Sequence, residues 1–176
     1  MADYAYHSKA AKGFHFEGLD LWTSQLKKLA TPSVYKDVVG KTIYVGAEIV
    51  ANAIRASINA LPTTKNQHGT PQNKISGCTA VQKKGLLDGL GVTKMSDKFG
   101  VDYWHVKIGF KGYNGQKTKK YPQGQPNSLI ARSIESGTSF RSKHPFVMPA
   151  ANKAKKAAEA AMVKKFDEEM KKLVEE

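Results

Sequence analysis

The chain has 176 residues, 40% of them hydrophobic and 24% charged, with one cysteine and a net charge of +13, which predicts a single globular domain over 1–176. The mean hydropathy of -0.47 and the brevity of the apolar runs exclude a chain built of membrane spans, and the lone Cys78 excludes an intrachain disulfide or a cysteine-based metal cage. The charge is uneven: residues 63–149 carry 14 basic and 4 acidic side chains, against 7 and 5 before them and 7 and 6 after, a field that suits a polyanion or an acidic protein partner.

The opening residues hold no apolar leader segment, so the chain is expected to stay in the compartment where it is made. Phe14-His15-Phe16-Glu17 alternates as a short strand does, and Leu19, Trp22, Leu26 and Leu29 then recur at helical spacing until Pro32. From Val34 to Leu61 no proline intervenes. Val38, Val45, Ile49, Ala53, Ala56 and Ala60 keep one face of a long second helix, which Pro62 ends. Residues 62–77 hold one apolar side chain among many turn formers and predict a mobile loop. Three glycines within 81–95 leave a short helix and an irregular segment both open. Trp104, Val106, Ile108 and Phe110 alternate with polar or small residues, the period of a half-buried strand.

Residues 111–127 carry four lysines, two tyrosines and no acid, a second expected mobile loop. Ser128 caps a short helix or leads an extended segment; the pattern through Ile134 fits both. Pro149 suits the first position of a last helix to about Val174, with Ala154, Ala158, Met162, Phe166 and Met170 as its stripe. Asp167–Lys171 and Glu168–Lys172 are its expected ion pairs, and Asp167, Glu168 and Glu169 its expected solvated face.

Little of this carries reaction chemistry. The five histidines lack metal-binding spacings, no Gly-x-Ser-x-Gly elbow surrounds Ser136 or Ser139, and Gly85 to Lys94 lacks the Gly-Lys-Ser/Thr of a phosphate loop. Glu48 and Glu135 read as isolated acids that pair with nearby cations. Lys111, Lys117, Lys119 and Lys120 beside Tyr113 and Tyr121 combine charge with stacking surface, a candidate contact for DNA or an acidic partner. A solvated, disordered loop tip is the simpler reading, because no zinc-finger, RNP-type aromatic or helix-turn-helix pattern accompanies them.

The end of the chain carries a resemblance. Glu135, Gly137-Thr138-Ser139, His144-Pro145-Phe146 and Pro149-Ala150, followed by an amphipathic helix, resemble in order and spacing the closing segment of a family of tailed-phage tail components, the head-to-tail joining or tail-completion proteins. Residues 16–29 and 46–62 are more weakly similar to that family's first strand and helix and its second helix, and 63–127 departs from it. The resemblance implies fold class α+β, with a small, mostly antiparallel sheet packed by two long helices and long basic loops. It implies a structural virion protein of a long-tailed phage, made in the host cytoplasm and located in the tail or neck. There a homo-oligomeric ring, hexameric by resemblance, would complete the tail tube and join it to the head connector or head-closure protein, with DNA passing through. It implies no catalysis, no cofactor, no metal and no membrane partner.

Under that reading Glu135, Gly137, Thr138, Arg141, Lys143, His144, Pro145, Phe146 and Pro149 form a subunit or partner interface. Phe146 anchors the step in its own core or in a neighbouring subunit, while Arg141 and Lys143 face an acidic partner or DNA. Phe146→Ala is then expected to weaken assembly and spare the isolated fold; a Phe146 that staples its own helix predicts the reverse. The alternative function is a basic nucleic-acid-binding module without catalytic activity.

Overall fold

The computed structural model describes residues 31–66, 69–96 and 104–175; the strand expected at 14–17 and the helix expected at 19–29 lie outside them. Pro32 opens the first described helix, since proline has a helical φ and no N–H to leave unpaired at a first position. This helix, α1 (Pro32–Ala60), runs 29 residues. After it come α2 (Ala80–Gly89), β1 (Leu90–Val92), β2 (Ile108–Phe110), α3 (Asn127–Ser136) and α4 (Val147–Glu175). The fold is α+β: among the described residues, four helices accompany a two-stranded antiparallel sheet, and the two long helices pack on each other.

α1 and α4 run antiparallel, because Lys41 meets Glu169 while Gly46, five residues on, meets Met162. α4 turns Ala154, Ala158, Met162 and Phe166 inward, with Met170 half-buried. α1 presents a stripe rotated from the expected one. Val38, Val39, Ile43, Val50, Ile54 and Ile58 are buried, Val45, Ile49 and Ala53 lie half-buried at the border, and Ala56 and Ala60 are exposed. Thr42 and Gly46 disguise the true face. The Thr42 hydroxyl donates to the Val38 carbonyl at 2.8 Å, so the buried polar group is satisfied. Gly46 leaves the room that the Met162 side chain fills.

Two apolar clusters result. One joins Ile54, Ile58, Leu86, Ile134, Phe146 and Ala158; the other joins Tyr35, Val39, Ile43, Met162 and Phe166. The strand expected from Trp104 to Phe110 is shorter than its alternation suggests. Regular pairing covers only Leu90↔Phe110, Gly91↔Gly109 and Val92↔Ile108, and a lone bridge, Ser96↔His105, continues it. The alternation still sets burial: Ile108 and Phe110 pack on the first cluster, Trp104 and Val106 on the second.

The segment 81–95 resolves into α2 and β1, and α2 starts with a reciprocal cap. Thr79 Oγ1 accepts from Gln82 N, and Gln82 Oε1 accepts from Thr79 N, both at 3.2 Å. The stretch after Pro126 is helix α3, with Pro126 rather than Ser128 at the cap position. α4 begins two residues before Pro149. Its acids are not all solvated: the Glu169 side chain is 6% exposed and takes Lys41, Lys165 and Lys172 at 2.8 to 2.9 Å. The Lys41 tie fastens the end of α4 to α1, while Lys165 and Lys172 pair with Glu169 along α4 itself, in place of the expected 167–171 and 168–172 pairs.

Candidate functional site

Glu135 lies at the end of α3, and its carboxylate reaches across the following loop to the start of α4. It accepts the backbone N–H of Phe146 at 2.7 Å, of Val147 at 2.9 Å and of Met148 at 3.1 Å. A helix begins with four N–H groups that have no partner inside it. Glu135 satisfies three of them, and Pro149, next in line, has no N–H to satisfy. The negative charge also stands at the positive end of the helix dipole. The spacing from Glu135 to Phe146 and on to Pro149 therefore has a mechanical meaning: it closes one helix end with a side chain from the helix before it. Glu135, expected to pair with a cation, instead serves as a cap supplied from eleven residues upstream.

The loop between them is wound tightly. Gly137 has φ of 73°, and a side chain there would crowd the Lys143 backbone N at 3.0 Å. Thr138 N donates to the Arg141 carbonyl at 2.9 Å, the Thr138 hydroxyl accepts from Phe140 N at 3.2 Å, and His144 N donates to the Ile134 carbonyl at 2.8 Å. Pro145 and Pro149 are exposed and His144 half-buried. Phe146 is 1% exposed, in contact with the first cluster and with its ring centre 6.1 Å from that of Phe110. It therefore anchors the step in its own core, and the subunit-to-subunit alternative for this side chain is corrected.

Arg141 is corrected as well. It is buried, where it donates to the Gly77 carbonyl and, at 3.2 Å, to Gln82 Oε1, so it does not face an acidic partner or DNA. Burial lowers its pKa from the ordinary arginine value, and burial likewise pushes the Cys78 thiol up. Of the expected pair only Lys143 is exposed. The large apolar side chains left outside near this joint are Phe140 and Met148, 53% and 42% exposed.

Lys111, Lys117, Lys119 and Lys120 are all exposed. Their segment, expected as a mobile loop, is folded back on itself. Asn114 N donates to the Gln125 carbonyl, Gln125 N to the Gln116 carbonyl, and Thr118 and Tyr121 exchange both backbone bonds, at 2.9 to 3.1 Å. Its base is nailed to α2: the Thr79 hydroxyl donates to Gln116 Oε1 at 3.0 Å, and Gln82 Nε2 to Gln125 Oε1 at 2.8 Å. Tyr113 is 63% exposed, but Tyr121 is half-buried, so the two tyrosines do not form a shared stacking platform.

The residues that organise this region are the buried amides Gln82, Asn114, Gln116 and Asn127, none of them a site candidate on sequence grounds. One of them leaves a signal, since Thr79-x-x-Gln82 is a capping-box pattern. The others lie in segments without periodicity. Among the described residues no group of three or more His, Cys, Asp or Glu gathers as a metal site would need, and no helix is long and apolar enough to cross a membrane. No family model, curated protein or solved structure matches the chain.

Proposed function

We propose that the chain is a non-enzymatic structural subunit of the neck of a long-tailed phage, assembling into a ring that completes the tail tube and joins it to the head connector. The observation that carries this reading is the Glu135 cap. The pattern that resembles the tail-completion proteins has one physical role, locking α3 to α4 at a fixed angle. Within it Glu135 is the acceptor, Gly137 makes the turn, Phe146 is the buried staple and Pro149 omits the fourth donor. A subunit that must hold its shape under load at a joint benefits from such a lock, and a 29-residue α4, about 43 Å long at 1.5 Å per residue, gives it a rigid strut.

The interface assigned to this pattern narrows accordingly. Thr138, Lys143, Pro145 and Pro149 stand on the surface, with Phe140 and Met148 as their apolar neighbours, whereas Glu135, Gly137, Arg141 and Phe146 act inside the subunit. Electron micrographs of the purified chain, alone and mixed with the tail tubes of its own virion, test the reading. Rings, free or seated on one tube end, are expected; dispersed single subunits with bare tube ends would overturn it.

A further inference from the structure

Three loops that are far apart in sequence come together at the start of α2. The loop before α2 pairs with the loop before α4 through the Ile75↔Arg141 bridge, with Ile75 N donating to Phe140 O at 3.1 Å and Ser142 N to Ile75 O at 2.9 Å. Arg141 then meets Gln82, and Gln82 meets Gln125 at the base of the lysine hairpin. Residues 62–78, 112–126 and 137–146 contain no aspartate or glutamate, yet they carry Lys65, Lys74, Lys117, Lys119, Lys120 and Lys143, every one exposed. Glu135, the acid that borders the third loop in sequence, is occupied by three backbone N–H groups.

We propose that these three loops form one anion-binding face that grips the sugar-phosphate backbone of duplex DNA without reading its bases. Lysine is among the side chains that contact phosphate oxygens, and contacts of that kind carry position rather than sequence. The backbone and side-chain bonds that join the loops hold the three lysine-bearing segments near one another before any ligand arrives, which lowers the ordering cost of binding. A single-strand groove strings several bare rings along a basic track; here the exposed rings, Tyr113 and Phe140, stand singly on different loops and Tyr121 is half-buried, which favours a duplex. The inference goes beyond the ring reading and stands or falls separately from it.

The test is fluorescence anisotropy of a short labelled duplex of mixed sequence, across roughly 50 to 200 mM salt. Two triple variants remove halves of the face, Lys117→Glu with Lys119→Glu and Lys120→Glu, and Lys65→Glu with Lys74→Glu and Lys143→Glu. A third, Lys153→Glu with Lys156→Glu and Lys164→Glu, makes the same charge change on exposed positions of α4. Each loop variant is expected to weaken binding and to flatten the salt slope by roughly 2 to 3 units, at about 0.9 for every phosphate no longer neutralised; the α4 variant is expected to keep most of the affinity. Lysine-to-glutamine versions of both loop sets, checked by circular dichroism, separate the removal of charge from damage to the fold. An equal loss in the α4 variant, tighter binding of a single strand, or equal competition by poly-glutamate charge for charge would each overturn the proposal. Rings that assemble but do not bind the duplex would sink this inference alone; duplex binding by a chain that never assembles would sink the ring reading alone.

Discussion

Glu135 is the side chain on which the end of the molecule turns, because three backbone donors depend on it. Glu135→Ala leaves them at a helix start without that acceptor, which costs about 1 to 3 kcal/mol and lowers Tm by roughly 3 to 10 °C for a chain of this size. Glu48→Ala, at an exposed position of α1, should leave Tm within error in the same scan. Phe146→Ala empties a fully buried site and should cost about 3 to 5 kcal/mol. Urea unfolding of the isolated subunit measures it, and a loss of assembly with unchanged stability would contradict the burial. Glu169 sets the acid limb of stability: hydrogen bonds from Lys172, Lys165 and Lys41 hold its carboxyl at about 2, against an ordinary value of 4.5. A carboxyl depressed in this way stabilises the fold above its unfolded pKa, and that stability is lost as pH falls through the folded one. Glu169→Gln should therefore flatten the fall in urea midpoint between pH 4.5 and 2. Lys41, pushed up to about 12 by Asp37 and then Glu169, works in the opposite sense: its contribution is intact below 10.5 and fades as pH rises through 12.

Among the elements, the contact of α1 with α4 depends on small residues facing large ones. Gly46 sits against the Met162 thioether, with the Ala158 carbonyl 3.7 Å from where a side chain would begin. Gly46→Val must push the helices apart or bend Met162 from its place, at about 1 to 3 kcal/mol, and pairing it with Met162→Ala should recover part of the loss in a double-mutant cycle. The stripe of α4 is legible in the sequence because alanine, methionine and phenylalanine repeat every four residues on a helix otherwise made of charge. The stripe of α1 is not, because threonine and glycine occupy its centre, and hydropathy alone cannot tell that a glycine is there to admit a neighbour. The short strands are half-legible: alternation from Trp104 to Phe110 fixes which side chains turn inward, while the extent of pairing depends on a partner strand that no local pattern announces. The two loops look mobile in sequence for want of apolar residues. They are held instead by buried side chains and backbone pairs whose partners lie more than 60 residues away, as Arg141 and Gly77 or Ser142 and Ile75 do, a distance at which single-sequence patterns say nothing. Glu135 belongs to the same class: its place in the pattern is visible, but its bonding is not.

For the molecule as a whole, the lock at Glu135 and the antiparallel pair of long helices accompany three acid-free, lysine-bearing loops joined at the start of α2, with no cluster of groups, among the described residues, arranged for metal chemistry. Homo-oligomers close by symmetry, and a head-to-tail contact that closes gives a ring. A ring concentrates the loop faces of its subunits, so phosphate contacts multiply and the salt dependence of duplex binding should steepen when subunits assemble. The ring itself is decided by the mass of the purified protein from light scattering at low and high salt, with and without the tail tube. A closed oligomer of fixed stoichiometry, alone or on the tube, is the predicted result; a monomer under every condition, indifferent to the tube yet binding DNA with a steep salt slope, would contradict the ring and leave a basic nucleic-acid-binding module in its place.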